Sequence, residues 1–162
     1  MVSENHGAGI LVRHCPAGRE PRYLLQKRGP HVRHHPGKWD LTAGGELHPG
    51  EDPIDGALRE FREEMGEPPA LVIIQAFTWL KTPAGWPSRR YTAFLADSDE
   101  MFDPAPPDAG VVAGWRWLTA REVMQTDLHP AFAAEARYLA GDPGSSPVRL
   151  PVNLWLPPQR ER

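Results

Sequence analysis

Three glutamates in one short segment are the strongest chemical signal in the sequence. Glu60, Glu63 and Glu64 stand at i, i+3 and i+4, a spacing that places three carboxylates on one face of a helix. Two carboxylates about 5 Å apart repel by roughly 3 kcal/mol at an effective dielectric constant of about 20, so the cluster calls for arginines or a divalent cation. Oxygen ligands suit Mg²⁺ or Mn²⁺. The alternative is a solvated charged face on which Arg59 pairs with Glu63.

These glutamates belong to a longer motif with fixed spacing. From Gly45 the sequence reads GELHPGEDPIDGALREFREEMGE, with Glu51 and Arg59 at set intervals and a glycine at 66. The motif resembles the Nudix box, G-x5-E-x7-R-E-U-x-E-E-x-G-U, in which U is an apolar residue. Every fixed Gly, Glu and Arg is present, and Glu67 at the final apolar position is the one departure. That departure affects packing after the helix and leaves the chemistry intact.

The resemblance implies a metal site. In the Nudix family the glutamates of the R-E-U-x-E-E segment bind a divalent metal, Mg²⁺ or Mn²⁺, which here assigns Glu60, Glu63 and Glu64 as ligands. The carbonyl of Gly45 is a further candidate ligand. Glu60 is also our candidate for the general base that takes a proton from water. Some family members use a carboxylate from a distant loop instead, and Asp108 is the candidate there, with a plain turn former as the alternative.

The resemblance also implies residues that position the metal ligands or contact substrate. Glu51 is expected to pair with Arg59, holding the loop to the helix and orienting the ligands. Lys27 and Arg28 end a strand where family members place a phosphate-contacting cation. Because successive strand residues face opposite ways, only one can enter the cleft, and we choose Arg28. The alternative is a pair of exposed cations at the end of a strand.

Other side chains are weaker candidates. The tryptophans offer flat surfaces for a base or ribose, or else belong to the core: Trp79, Trp86, Trp115 and Trp117. The histidines in proline-flanked loops lack the spacing of a transition-metal site and are expected at the surface: His34, His35 and His48. Cys15, the single cysteine, lies in a turn-like segment and is expected to be an inert thiol.

The implied activity is hydrolysis of a nucleoside diphosphate linked to another group. Residues 39–45, WDLTAGG, are similar to a Nudix branch that includes relatives of isopentenyl diphosphate isomerase. That enzyme needs a catalytic cysteine in a motif this chain lacks, since Cys15 comes too early, so isomerisation is disfavoured. A nucleotide-sensing module without catalysis is the other alternative, but such modules often lose the carboxylates that are all retained here.

The elements that must position these residues follow from local patterns. Asp52 as N-cap, Pro53 in the first turn and Gly66 as the stop predict a helix over Pro53 to Met65. Thr119 and Glu122 have the spacing of a capping box that opens a second helix. A further helix is predicted over 130–140. Strands are predicted over 8–13, 22–28, 38–45, 71–81, 89–96 and 111–118. In 71–81 apolar residues occupy both odd and even positions, so both faces of the strand are apolar. It is therefore expected to be central in the sheet.

The chain of 162 residues has the length of one domain. We expect an α/β (α+β) Nudix fold, a mixed sheet sandwiched between helices, over residues 1–140. Residues 141–162 are predicted to be a linker and an apolar tail. The tail should pack on the domain or on a second subunit, which would make a homodimer, because it carries more apolar surface than a free end should expose.

Charge and composition limit the kinds of partner that the protein is expected to bind. The net charge is −3 and the pI is about 6.2, which gives no positive field for a nucleic acid polymer. No stretch approaches the roughly 18 apolar residues of a membrane span, and the first residues lack the layout of a secretory signal. We therefore expect a cytoplasmic protein with a small nucleotide diphosphate as its partner, and neither a polymer nor a membrane.

Overall fold

The computed structural model describes residues 6–81, 89–130 and 133. Within these residues the helices are α1 (Pro53–Met65) and α2 (Ala120–Gln125). The strands are β1 (His6–His14), β2 (Arg22–Arg28), β3 (Trp39–Asp40), β4 (Ala43–Glu46), β5 (Leu71–Lys81), β6 (Arg89–Ser98) and β7 (Val112–Thr119). No helix in this part of the chain is long and apolar enough to cross a membrane.

The strands form one mixed sheet with the order β3-β2-β1-β6-β5, in which β4 also pairs with β1 and β7 with β2. β1 and β6 are parallel, and the other pairs are antiparallel. Each face of the sheet carries its own core. On one face Ala57, Phe61 and Met65 of α1 pack against β1, β4 and β6. On the other face Val123 of α2 packs with Leu128 and with side chains of β1, β2, β6 and β7, so the predicted sheet between helices is confirmed.

Helix α1 begins and ends as the sequence predicts. The Asp52 carboxylate accepts a hydrogen bond from the N–H of Ile54, and Gly66 ends the helix with φ of 83°, in the region that favours glycine. The capping box of α2 is confirmed too, because Thr119 and Glu122 each bond to the other's backbone. The predicted helix over 130–140 lies almost wholly outside the described residues, although Ala133 is helical and packs on the core.

The single strand predicted over 38–45 is instead two short strands. Asp40 pairs with Gln26 of β2, whereas Ala43 pairs with Ile10 of β1. Between them, the Thr42 hydroxyl accepts from the Val12 N–H and donates to the Leu24 carbonyl. The chain therefore changes partner strands at Thr42, whose hydroxyl bridges Val12 of β1 and Leu24 of β2.

The prediction that 71–81 is central in the sheet is wrong. β5 is last in the strand order, and Val72 and Ile74 are 53% and 42% exposed. A register shift between Ile73 and Gln75 explains the misleading pattern. The shift lets Ile73 and Ala76, of opposite parity, pack on the same core, while Phe77 packs on the core of the other face. Apolar residues therefore occur at both parities although the strand lies at the edge of the sheet.

Candidate active site

The glutamate cluster lies where α1 crosses β4. Ala57, Phe61 and Met65 turn into the core and are fully buried, which leaves the adjoining face of the helix to the carboxylates. β4 runs along this face, where Gly44 bonds to Glu64 and Gly45 lies against Glu60. The predicted placement of three carboxylates beside the apolar stripe is therefore what the structure has.

One guanidinium group, that of Arg59, connects the loop before the helix to the cluster. Its Nε and Nη2 donate to the two Glu51 carboxylate oxygens at 2.9 and 3.0 Å. Its Nη1 lies 3.0 Å from Glu60 Oε1 and 3.2 Å from Glu63 Oε1. The Glu51 pairing and the alternative Glu63 pairing thus occur together. Hydrogen bonds from Arg59, and then from the His48 backbone, lower the pKa of Glu51 to about 2.

Gly45 lies directly against Glu60. A Cβ atom built on Gly45 would stand 2.5 Å from the carboxyl carbon of Glu60, closer than atoms pack, so a side chain there would displace the Glu60 carboxylate. Burial raises the pKa of Glu60, partly offset by Arg59. The predicted ligands Gly45 and Glu60 are therefore neighbours.

The Glu64 carboxylate is held by hydrogen bonds from the sheet rather than by a positively charged side chain. The Gly44 N–H donates to its Oε1 at 2.9 Å, and the Gln26 side-chain amide donates to its Oε2 at 2.9 Å. Burial raises the pKa of Glu64 to about 7, against the effect of these two donors, and the negative charges of Glu60 and Asp40 add to the rise. The carboxylate thus stands in a negative, partly dehydrated environment that a cation would stabilise.

Among the described residues no three acidic, histidine or cysteine side chains converge on a common metal position as they stand. The reason is visible in their contacts, because Glu60 and Glu63 turn to Arg59 while Glu64 turns to β2 and β4. The donor set nevertheless fits a hard divalent ion. The acids are oxygen donors on one helix face, and Glu51, Glu60 and Glu63 share the single positive charge of Arg59.

Of the two candidate phosphate contacts, Arg28 lies on the glutamate side. It follows Leu24 and Gln26 at alternate positions of β2, so it shares the face that carries α1. Its guanidinium lies 3.4 Å from Asp40 Oδ2 and donates to the His34 carbonyl at 2.8 and 3.0 Å. Lys27 is exposed on the opposite face.

The tryptophans separate into two environments. Trp117 is half-buried against the core, with its indole N–H bonded to the Phe102 carbonyl at 3.1 Å and its ring edge-on to Phe102. Trp115 is half-buried opposite Gln26, on the face of α1. The side chains of Trp79 and Trp86 lie outside the described part of the chain.

The weaker candidates stay at the surface. Asp108 is exposed and accepts from the N–H of Gly110 at 2.8 Å, which is the geometry of a turn former. His34, His35 and His48 are exposed, as is the free thiol of Cys15.

Two residues near the cluster were missed by our sequence reasoning. Gln26 and Asp40 are opposite each other on β2 and β3, and both are buried. The signal for Gln26 was present, because it is a polar residue in an apolar strand and stands two positions before Arg28 on the same face. Asp40 had no local signal, since β3 is only two residues long.

Comparisons with known proteins agree with this architecture. The NUDIX domain family model matches residues 6–139. A putative 8-oxo-dGTP diphosphatase 3 of Mycobacterium tuberculosis is 32% identical over 169 residues, covering 93% of this chain and 76% of that protein. The crystal structure of RenU, a Nudix hydrolase from M. smegmatis, superposes with a TM-score of 0.71 at 30% identity, covering 84% of this chain and 83% of that one. The chain therefore belongs to the Nudix hydrolase family, as the motif from Gly45 to Gly66 predicted.

A third relative carries a different activity in its name. The isopentenyl-diphosphate Delta-isomerase of Streptomyces griseus is 43% identical over 117 residues, which cover 70% of this chain and 58% of that protein. The predicted similarity of the 39–45 segment to this branch is thus matched by overall identity. This identity makes isomerisation the alternative activity that must be tested beside hydrolysis.

Proposed function

We propose that the protein is a metal-dependent hydrolase that cleaves a diphosphate linkage in a nucleoside diphosphate joined to another group. The observation that carries the proposal is the set of Glu60, Glu63 and Glu64 on one helix face, with Glu60 against Gly45 and with an excess of negative charge over Arg59. Mg²⁺ or Mn²⁺ is the cofactor that these oxygens suit.

Separate roles in this mechanism are proposed for the residues that hold the metal and for the one that accepts a proton. When bound, the divalent ion supplies positive charge that neutralises phosphoryl oxygens and acidifies the attacking water. Glu60, Glu63 and Glu64, with the Gly45 carbonyl, would hold it. Glu60 is the proposed acceptor of the proton that the water gives up.

Other residues orient the reactants in this scheme. Arg28 would bind a substrate phosphate, because its guanidinium lies on the glutamate side of β2. There it now contacts Asp40 and a loop carbonyl. Arg59, clamped by Glu51, would hold the first turns of α1 in place. Trp115 offers a half-buried ring on the same face for a base or ribose.

The substrate is best sought among small nucleotides. The M. tuberculosis relative is named for 8-oxo-dGTP, so oxidised and normal nucleoside triphosphates head the panel. ADP-ribose, dinucleoside polyphosphates and nucleotide sugars complete it, since each joins a nucleoside diphosphate to another group. Products would be separated by ion-exchange chromatography with Mg²⁺, with Mn²⁺ and with EDTA, and with Glu64→Gln as the inactive control.

Each result of this panel has a clear meaning. Cleavage of at least one compound with either metal, abolished by EDTA and by Glu64→Gln, would support the proposal. Tight binding of a compound without cleavage would instead identify a nucleotide-sensing module. Cleavage that persists in EDTA would contradict the metal-dependent mechanism.

Isomerisation of isopentenyl diphosphate is the second candidate, because of the 43% identity with the Streptomyces enzyme. The only cysteine of the sequence, Cys15, is exposed in the turn after β1, where it has no acidic partner among its described contacts. We therefore expect no conversion of isopentenyl diphosphate, measured by product extraction and chromatography. Conversion that survives Cys15→Ser would require a catalytic group that we have not identified.

A further inference from the structure

Gln26 is a buried polar side chain that follows three buried residues of β2. Residues 23–25 of β2 are Tyr, Leu and Leu, all buried, and Gln26 itself is only 3% exposed. Burying an amide is costly unless its groups find hydrogen-bond partners. A hydrophobic residue would fill this position without that cost, so the contacts of the amide should reveal its use.

The amide nitrogen of Gln26 has two acceptors, one structural and one in the glutamate cluster. It donates to the Thr42 carbonyl at 3.2 Å and to Glu64 Oε2 at 2.9 Å. Thr42 is itself fixed, since its hydroxyl bonds to the Val12 N–H and the Leu24 carbonyl. The carbonyl of Thr42 therefore fixes the direction of the amide, and the second N–H is aimed at Glu64.

The two oxygens of Glu64 are fixed from two strands. Gln26 on β2 donates to Oε2, and the Gly44 N–H on β4 donates to Oε1. Two donors on different oxygens define the plane of a carboxylate, because rotation about its last bond would break both. Both donors are also neutral, in contrast to the guanidinium that Glu60 and Glu63 receive from Arg59.

We propose that Gln26 is a positioning residue that fixes the Glu64 carboxylate as a metal ligand while leaving its negative charge for the cation. A lysine or arginine at position 26 would give the same hydrogen bond but would neutralise the carboxylate. A leucine would leave the carboxylate charged but held by the Gly44 N–H alone. The proposal rests on the metal site of the proposed function.

The test measures Mn²⁺ affinity directly, by titrating the metal-free protein and detecting free Mn²⁺ by electron paramagnetic resonance. Gln26→Met keeps the length of the side chain and removes the donor, and we expect it to weaken Mn²⁺ binding about tenfold or more, the usual effect of losing a partner of a metal ligand. Gln26→Lys keeps a donor and adds a positive charge, and we expect it to weaken binding at least as much.

Thr78→Val is the matched control. Thr78 is buried, and its hydroxyl bonds to that of Thr92 at 3.0 Å, so the variant also loses a buried hydrogen bond of the sheet. It lies on β5, away from the pair formed by β2 and α1. We expect a lower thermal midpoint in the absence of metal but wild-type Mn²⁺ affinity. If Gln26→Met does not fold, Gln26→Leu, which also removes the donor, takes its place in the measurement.

The results separate this inference from the proposed function. Wild-type Mn²⁺ affinity in Gln26→Met would overturn the positioning role, even if the wild-type protein hydrolyses nucleotides. Wild-type affinity in Gln26→Lys would overturn the requirement for a neutral donor. Mn²⁺ binding that depends on Gln26, in a protein that cleaves nothing, would support the inference and contradict the proposed function. Absence of Mn²⁺ binding by the wild-type protein would overturn both.

Discussion

At the scale of single residues, Arg59 and Glu64 show two ways in which charged side chains of α1 are accommodated. Arg59 gathers Glu51, Glu60 and Glu63 around one guanidinium. Glu64 receives only neutral donors and stays in surroundings that disfavour its charge. Arg59 is therefore expected to stabilise the fold, whereas Glu64 is expected to serve function at some expense of stability.

Glu64→Gln and Arg59→Ala should separate these roles. Glu64→Gln keeps the shape of the side chain and removes the charge, so Mn²⁺ affinity should fall and turnover should slow by orders of magnitude. Its metal-free thermal midpoint should change little or rise. Relief of the repulsion between carboxylates stabilises the variant, and this offsets the less favourable contact between the new amide group and the amide of Gln26. Arg59→Ala should lower the metal-free midpoint, because it leaves Glu51 without its ion-pair partner.

The comparison requires activity, Mn²⁺ affinity and the metal-free thermal midpoint for both variants. Full metal-dependent activity in Glu64→Gln, together with a fall in stability like that of Arg59→Ala, would mean that Glu64 is structural. The assignment of the metal site would then be wrong.

Glu51 gives a prediction for pH. Its pKa in the folded protein is about 2, below the ordinary value of 4.5, so the folded state binds fewer protons there than the unfolded state. Its contribution to stability is therefore complete above about pH 4.5 and is lost as the pH falls towards 2. The thermal midpoint of the wild-type protein in EDTA should exceed that of Glu51→Gln at pH 5, and the difference should shrink on acidification. A difference that is constant with pH would contradict the ion pair.

At the scale of elements, the site depends on the close contact of β4 with α1. Gly45→Ala tests this contact, because the new methyl group would occupy the place of the Glu60 carboxylate. The carboxylate ends a flexible side chain and can move away, so the fold should hold while Mn²⁺ affinity falls about tenfold or more. Gly114→Ala on β7, where a Cβ meets nothing within 4 Å, is the control. Equal Mn²⁺ affinity in the two variants would show that Glu60 need not stand against Gly45.

At the scale of the whole molecule, the apolar segment at 148–158 lies outside the described residues, and its packing stays a prediction. The residues that carry it are Leu150, Val152, Leu154, Trp155 and Leu156. If they pack on the domain or on a second subunit, truncation after Gly141 should lower the thermal midpoint, the solubility or the oligomeric mass. Differential scanning fluorimetry and light scattering would measure these. A truncated protein unchanged in all three would indicate a tail that contributes nothing to the fold.

The sequence by itself determined the features that depend on short-range spacing. The bounds of α1, the capping box of α2 and the glutamate cluster follow from residues within a few positions of one another, because helix geometry fixes which of them meet. The pairing of Glu51 with Arg59 came from the motif, and its geometry here agrees.

Only the tertiary structure decided what depends on which strands become neighbours. Among the described strands β5 pairs only with β6, so it is outermost rather than central although its apolar residues occur at both parities. Gln26 meets Glu64 across 38 positions of sequence, and Asp40 joins them through a two-residue strand. No local pattern encodes such contacts, since they form only when β2, β3 and α1 have packed together. The candidate metal ligands, whose role stays a prediction, could be named from the sequence, whereas the groups that hold Glu64 could not.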